Sequence, residues 1–460
     1  MKHETLPIVA AIDIGTTKIC AIVGRKNHLG KIEILGMGQA ESSGVMRGVI
    51  SNIDKTVDAV KQAVAEASKK AGVSIHHVYV GIAGQHIKYI RHRGSLMRDN
   101  GQDEITTADV DRLINDMYKL NLPPGEKIVH VLPQEFVIDD EQGIKEPVGM
   151  SGVRLEANFH IVTGQMAAIQ NIVRCIEKAG LKVVEMVLEP IASAAAVLSD
   201  EEKEAGVALV DIGGGTTDIA VFHDGIIRHT AVIPLGGNII TEDIKEGCMV
   251  MREQAEKLKV RFGTALAIEA QENAIVSISG LRGRGPKEIS VVNLAHIIQS
   301  RMEEILEHVY VQLRISGFEN KLIGGVVITG GGARLQNLQH LTEYLTGLDA
   351  RIGLPAEHLS VNSQRTEFND PMYATGIGLL IMALQRNTIA TELPEQKEDL
   401  AVTNQETPKT NEAIIKEQLP TEQDETEEQQ AENNNTGGSW FDNFLRRGRE
   451  WLEGDVKDFS

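Results

Sequence analysis

The chain alternates short, almost wholly apolar runs with longer segments in which apolar positions recur every three or four residues. The short runs predict strands buried on both faces and the longer segments amphipathic helices, which together indicate layered α/β architecture. Two apolar runs share a pattern: IVAAIDIGTTKICAIVG, Ile8 to Gly24, and VALVDIGGGTTDIAVF, Val207 to Phe222. Each predicts a strand, an Asp-x-Gly turn of small residues and a second strand, hence a β-hairpin with a glycine-rich tip. Their separation of about two hundred residues points to two related halves facing one another rather than to a short-period repeat. The rest fits that plan. A helix is predicted from Asp54 to Lys70, a strand from His77 to Ala83, a helix from Met166 to Ala179 and a strand from Lys182 to Leu188. The second half offers a strand at Gly325–Thr329, a glycine-rich turn and a helix from Leu335 to Leu345.

Two stretches interrupt the repeated core. Residues 85–162 hold strand candidates Ile128–Leu132 and Phe136–Asp139 and a helix Thr107–Leu120, and read as an inserted subdomain. Residues 241–317 are the matching insertion, with helices near Gln254–Arg261 and Leu294–Arg314. The expected organisation is a first half of residues 1–84 and 163–206 and a second half of residues 207–240 and 318–386. Residues 387–438 are rich in Glu, Gln, Thr and Asn without aromatic residues, a composition expected to stay disordered and to span roughly 40 Å as a tether.

Charge sharpens this picture. The formal net charge of −19 argues against a nucleic-acid partner. Between Thr391 and Gly438 about thirteen acidic residues stand against three lysines, so roughly half of the net charge sits in the linker. Cys20, Cys175 and Cys248 lack metal-ligand spacing and read as buried thiols of a reducing compartment. No signal peptide and no apolar run long enough to cross a bilayer is apparent, so membrane contact is expected to be peripheral.

The candidate chemistry lies in three glycine-rich turns. Asp13, Gly15, Thr16, Thr17 and Lys18 form the first; Asp211, Gly213, Gly214, Gly215, Thr216, Thr217 and Asp218 form the second. Small residues let backbone N–H groups approach phosphate oxygens, and the hydroxyls add donors. Asp13 and Asp211 suit Mg2+ held mostly through water. The third, ITGGGARLQNL, is a strand, a triplet Gly330, Gly331 and Gly332 with Arg334 beside it, and a helix: a shelf for adenine and ribose.

These elements resemble the phosphate-one, phosphate-two and adenosine motifs of the actin, chaperone-ATPase and sugar-kinase superfamily. The resemblance implies ATP as ligand and an actin-like ATPase fold, two ribonuclease-H-like halves around a nucleotide cleft. Glu256 and Lys259 would then be ribose contacts, although an ordinary i,i+3 pair reads the same. Glu189, at the corner LEPIA, would position the attacking water, or merely cap the following helix, and hydrolysis would be slow at most. Beyond the cleft, GVMRGVISNID, VYVGIAGQHI, HVLPQEFVIDDEQGIKEPVGMSGVRLE, IIRHTAVIPLGGNIITEDI and PMYATGIGLL closely resemble the FtsA family of bacterial cell-division proteins. That resemblance covers about Val9 to Leu384. A pilus-assembly relative or a sugar-kinase-like phosphotransferase is the alternative.

Membership implies a scaffold that self-associates and tethers FtsZ polymers of the Z ring to the cytoplasmic face of the membrane at the division site. The FtsZ C-terminal tail would dock on residues 241–317, with Arg301 in SRMEEIL as a contact, unless it belongs to a solvated face. The loop LRGRGPKE departs from better-known relatives in length and charge. Later division proteins would meet residues 85–162. At residues 439–460, Trp440, Phe441, Phe444, Leu445, Trp451 and Leu452 fall on one helical face beside Arg446, Arg447 and Arg449, as in an interfacial helix; a docking peptide is the other reading.

Overall fold

The computed structural model describes residues 7–386, apart from 100, 102, 281–284 and 361–367. The acidic linker and terminal helix expected beyond residue 386 lie outside the described residues. Strands β1 (Ile8–Ile14) and β2 (Lys18–Lys26) form the expected antiparallel hairpin, and β3 (Ile32–Glu41) extends it. A short hairpin, β4 (Val45–Met46) and β5 (Val49–Ile50), leads into α1 (Ile53–Ala71). The Asn52 side chain caps that helix by accepting the Lys55 N–H, and Gly72 ends it at φ 69°. The helix lies so close on β3 that a Cβ on Gly38 would stand 2.0 Å from the Ala63 carbonyl. Strand β6 (His77–Ile82) then runs parallel to β1.

The inserted segment builds a separate sheet in the order β7-β10-β8-β9. Its elements are β7 (Ile87–Met97), α2 (Thr107–Met117), β8 (Glu126–Ile138), β9 (Glu141–Ile144) and β10 (Arg154–Gln165). Leu113, Leu155, Phe159 and Ile161 fill its own core. The two strands expected at Ile128–Leu132 and Phe136–Asp139 are one strand, β8. Pro133 still pairs opposite Phe159, and Gln134 drops out of register as a bulge. On the other side β9 pairs only with Phe136 and Ile138, so the strand is an edge at Pro133, where proline is tolerated.

The first half resumes with α3 (Met166–Lys178), β11 (Lys182–Leu188), α4 (Glu189–Val197) and α5 (Asp200–Ala205). The second half opens with β12 (Val207–Ile212), β13 (Thr217–His223) and β14 (Ile226–Ile233). Its insertion comprises α6 (Gly237–Gly247), α7 (Arg252–Phe262), β15 (Ile275–Ile278), β16 (Lys287–Ser290) and α8 (Val291–Ser316). Strand β17 (Val326–Thr329), helix α9 (Leu338–Thr346), strand β18 (Ala350–Ile352) and helix α10 (Ala374–Arg386) complete the described chain.

The two main sheets, β3-β2-β1-β6-β11 and β14-β13-β12-β17-β18, repeat one succession: three antiparallel strands, then two parallel ones. Helix α9 starts three residues later than expected. A 3-10 turn at Gly331–Arg334 precedes it, and Asn337 takes φ 60° while its amide donates to Thr264 Oγ1 at 3.0 Å. That tether to the insertion holds Leu335–Asn337 out of helical geometry. Helices α4 and α10 pack in a core shared by both halves, with Ala11 and Ile22 of the first and Leu209 and Val327 of the second.

Candidate functional site

Both hairpin tips and the third glycine turn open onto one cavity of about 680 Å3. The tips touch. A Cβ on Gly214 would stand 2.0 Å from Thr17 Oγ1, and one on Gly215 would stand 2.6 Å from Thr16 Oγ1, so only glycine fits there without displacing the opposite tip. Thr16 Oγ1 also accepts the Gly48 N–H at 3.3 Å, which ties the β4–β5 turn to the first tip.

Asp13, Gly15, Thr16, Thr17, Lys18, Glu189, Asp211, Gly213, Gly214, Gly215, Thr216, Asp218, Glu256, Lys259, Gly330, Gly331, Gly332 and Arg334 all line the cavity. Thr217 does not. It is fully buried, and its hydroxyl donates to the Leu235 carbonyl at 2.9 Å, so it holds the loop into α6 instead.

The interior is rich in carboxyl groups. Asp13, Asp211 and Asp218 are 8%, 7% and 4% exposed. Burial, partly offset by Lys18 and reinforced by Asp211, pushes the Asp13 carboxyl up to about 6. Burial and Asp211 push Asp218 up to about 8. Its Oδ2 accepts from Thr216 Oγ1 at 3.0 Å, while its buried Oδ1 has no partner. Glu189, at the start of α4, is raised well above the usual carboxylate range by burial and by Asp13, Asp218 and Asp211. Leu188 is the N-cap of α4 and makes no side-chain cap bond, and Glu189 is the acidic residue of the helix's first turn. Burial also raises Asp211, against the hydroxyls of Ser193 and Thr375 and the Lys18 charge.

Lys18 is the nearby cation. Its Nζ donates to the Met372 carbonyl at 2.7 Å and lies 3.9 Å from the centre of the Tyr373 ring. Burial lowers its pKa and Asp13 raises it. Glu256 and Lys259 do form the i,i+3 pair, at 2.9 Å, yet both face the cavity. Lys259 further donates to the Gly237 carbonyl and to Thr241 Oγ1, both at 2.8 Å, and so fixes the start of α6. Arg334 pairs with Asp370 at 3.4 Å.

Arg301, on α8, is away from this cavity and already engaged. Asp243 accepts two bonds from its guanidinium, at 2.6 and 3.0 Å, and Glu304 a third. Trp440, Phe441, Phe444, Leu445, Trp451 and Leu452 lie outside the described residues.

Sequence reasoning missed Ser193, Thr375 and Thr241. The first two stand between small neighbours, Ala192 and Ala194 for one and Ala374 and Gly376 for the other, where a lone hydroxyl gives no signal; only the packing shows what they touch.

Three family models match: "Cell division protein FtsA" over residues 208–378, "SHS2 domain inserted in FTSA" over 84–163 and "Hsp70 protein" over 166–232. The cell division protein FtsA of Pseudomonas aeruginosa is 40% identical, over 83% of this chain and 90% of its own length. That of Escherichia coli K12 is 35% identical over 83% of this chain and 91% of its own, and that of Bacillus subtilis 34% over 86% and 89%. A chain of the solved PilM-PilN type IV pilus biogenesis complex superposes with a TM-score of 0.59 over 82% of this chain and 98% of that one. At 15% identity this is a likeness of fold alone. The facing halves, the inserted sheet and these relatives agree: the chain has the actin-like ATPase fold and belongs to the FtsA family of cell-division proteins.

Proposed function

We propose that the cavity binds ATP with Mg2+, and that the chain uses this site to control self-association while tethering FtsZ polymers to the membrane. The observation that carries the nucleotide reading is the meeting of two glycine tips and a glycine shelf on one cavity that six acidic residues also line, Asp13, Asp211 and Asp218 among them. The residues fit such a ligand. Backbone N–H groups of Gly15–Thr17 and Gly214–Thr216 would face phosphates in tips made of small residues, and a Cβ on Gly331 would meet open space. The unpartnered Asp218 Oδ1 and the raised Asp13 and Asp218 carboxyls mark an interior in want of positive charge.

Bound Mg2+ would supply that charge and balance the terminal phosphates. Among the described residues no three His, Cys, Asp or Glu side chains form a direct cage, so Asp13 and Asp211 would act through water. Glu256 and Lys259 would hold the ribose, Gly330–Gly332 and Arg334 the adenine. Glu189 would orient the attacking water, with hydrolysis slow at most.

The FtsZ C-terminal tail would dock on the subdomain of residues 241–317, and Met249, Met251, Ile268 and Ile275 there expose apolar side chains that suit a peptide. Arg301 would then exchange Asp243 for a peptide carboxylate. Later division proteins would meet residues 85–162, and the segment 439–460 would seat on lipid.

Liposome flotation with purified FtsZ and ATP tests the whole reading. The full chain should carry FtsZ to the lipid layer, and a chain truncated after Gly438 should leave it behind. Flotation of neither chain would remove the membrane role, and flotation without FtsZ would remove the adaptor role.

A further inference from the structure

Helices α4 and α10 cross in backbone contact: a Cβ on Gly378 would stand 1.8 Å from the Ala192 carbonyl oxygen. The crossing brings Ser193 Oγ and Thr375 Oγ1 to 3.0 Å from one another. Both donate to the same oxygen of Asp211. Ser193 reaches Oδ2 at 2.6 Å and Thr375 at 3.2 Å. Ser193 is fully buried, Thr375 is 9% exposed and lines the cavity, and both come from helices in the core shared by the two halves. Asp211 is thus held by one oxygen from behind. Its other oxygen, Oδ1, lies beside Gly330, where a Cβ would stand 2.2 Å away. A carboxylate secured in this way keeps one oxygen in a fixed direction, whereas a carboxylate on a strand end alone rotates about its terminal torsion.

We infer that Ser193 and Thr375 are positioning residues that orient Asp211 toward hydrated Mg2+, so that the α4–α10 crossing sets the metal dependence of nucleotide binding. This rests on the nucleotide reading of the cavity. A hydroxyl pair with a merely structural role would influence binding of nucleotide with and without the metal alike. A pair that aims Asp211 acts only when the metal is there. The crossing also explains why the pair is shared between two helices: a shift of α10 against α4 would part the hydroxyls and release the carboxylate.

The test measures binding of a fluorescent ATP analogue to the full chain in EDTA and across a Mg2+ titration. Ser193→Ala should raise the Mg2+ concentration for half-maximal tightening about tenfold, while affinity in EDTA changes less than about twofold. Thr375→Val should act in the same direction, and Thr375→Ser, which keeps the hydroxyl, should restore the native titration. Equal losses in EDTA and in Mg2+ would overturn the inference in favour of a packing role, and so would an unchanged Ser193→Ala titration. Native chain that binds no nucleotide at all would remove the cavity's nucleotide reading first, an outcome distinct from native binding with indifferent variants. Melting curves of each variant separate a loss of fold from a loss of aim, because Thr375→Val keeps the side-chain shape without the donor and Thr375→Ser keeps the donor without the methyl group.

Discussion

The two hairpin tips are built alike and charged differently. In the first, Asp13 stands opposite Cys20 across the hairpin, and Lys18 supplies an ammonium nearby. In the second, Asp211 stands opposite Asp218, a third carboxyl with an orphaned oxygen. The first tip offsets its acid in part with Lys18; the second secures Asp211 with hydroxyls from Ser193 and Thr375 and leaves an oxygen of Asp218 without a partner. Duplicated backbones therefore do not imply duplicated chemistry. One cross-strand position, cysteine on one side and aspartate on the other, separates a tip with one buried acid, partly offset by Lys18, from a tip with two.

The sharpest way to break this contrast is Asp211→Asn. Mg2+-dependent ATP affinity should fall on the order of a hundredfold, read by titration of a fluorescent analogue, with little change in EDTA. A similar loss from Cys20→Asp, which gives the first tip the second tip's charge, would show that added carboxyls simply repel phosphate.

Lys18→Met should weaken nucleotide binding about tenfold in the same assay, because it removes the charge-assisted partner of the first tip. Retention of native affinity would mean that its bond to the Met372 carbonyl is purely structural.

Asp218→Asn addresses stability. The folded Asp218 carboxyl is raised to about 8 from an ordinary value of 3.8. Between those values the unfolded chain has lost the proton that the folded chain keeps, so the ligand-free protein loses stability as pH rises from 4 to 8. Asparagine carries no such proton, and Tm should exceed the native value by roughly a few degrees at pH 8 and by less at pH 5. Added Mg2+ and ATP should narrow the gap. A gap that is constant with pH would place the orphaned oxygen's effect in packing.

The smallest effect concerns Arg301. Asp243→Asn releases its guanidinium from the bidentate pair and should tighten a labelled FtsZ tail peptide by about threefold in fluorescence anisotropy, while Arg301→Ala should weaken it by a similar factor. Weaker binding by both variants would indicate that the Arg301–Asp243 pair shapes the docking surface rather than competing with the peptide.

Much of the cavity was legible along the chain. Asp-x-Gly between apolar runs specifies a hairpin whose tip must be small, and the same signal appears twice. Lys182–Leu188 as a strand and the helix before it were equally plain, since period and punctuation are local. The failures have local causes too. Pro133 reads as a strand end because nothing in sequence reveals an edge, and Leu335 reads as helical because its restraint is Thr264, far away in the chain. Thr217 looked like its neighbour Thr216, yet strand alternation turns one hydroxyl into the cavity and the other toward Leu235.

The sequence by itself determined the two hairpins, the glycine shelf, the inserted segment and the family, because each is written in contiguous residues with a fixed backbone requirement. Only the tertiary structure decided which oxygen of Asp211 is held, that Asp218 is left with an unpaired oxygen, and that Arg301 is already engaged. Those outcomes depend on side chains up to 182 residues apart meeting within hydrogen-bond distance. Such meetings depend on how helices and sheets pack, and no local pattern of apolar and polar residues records them.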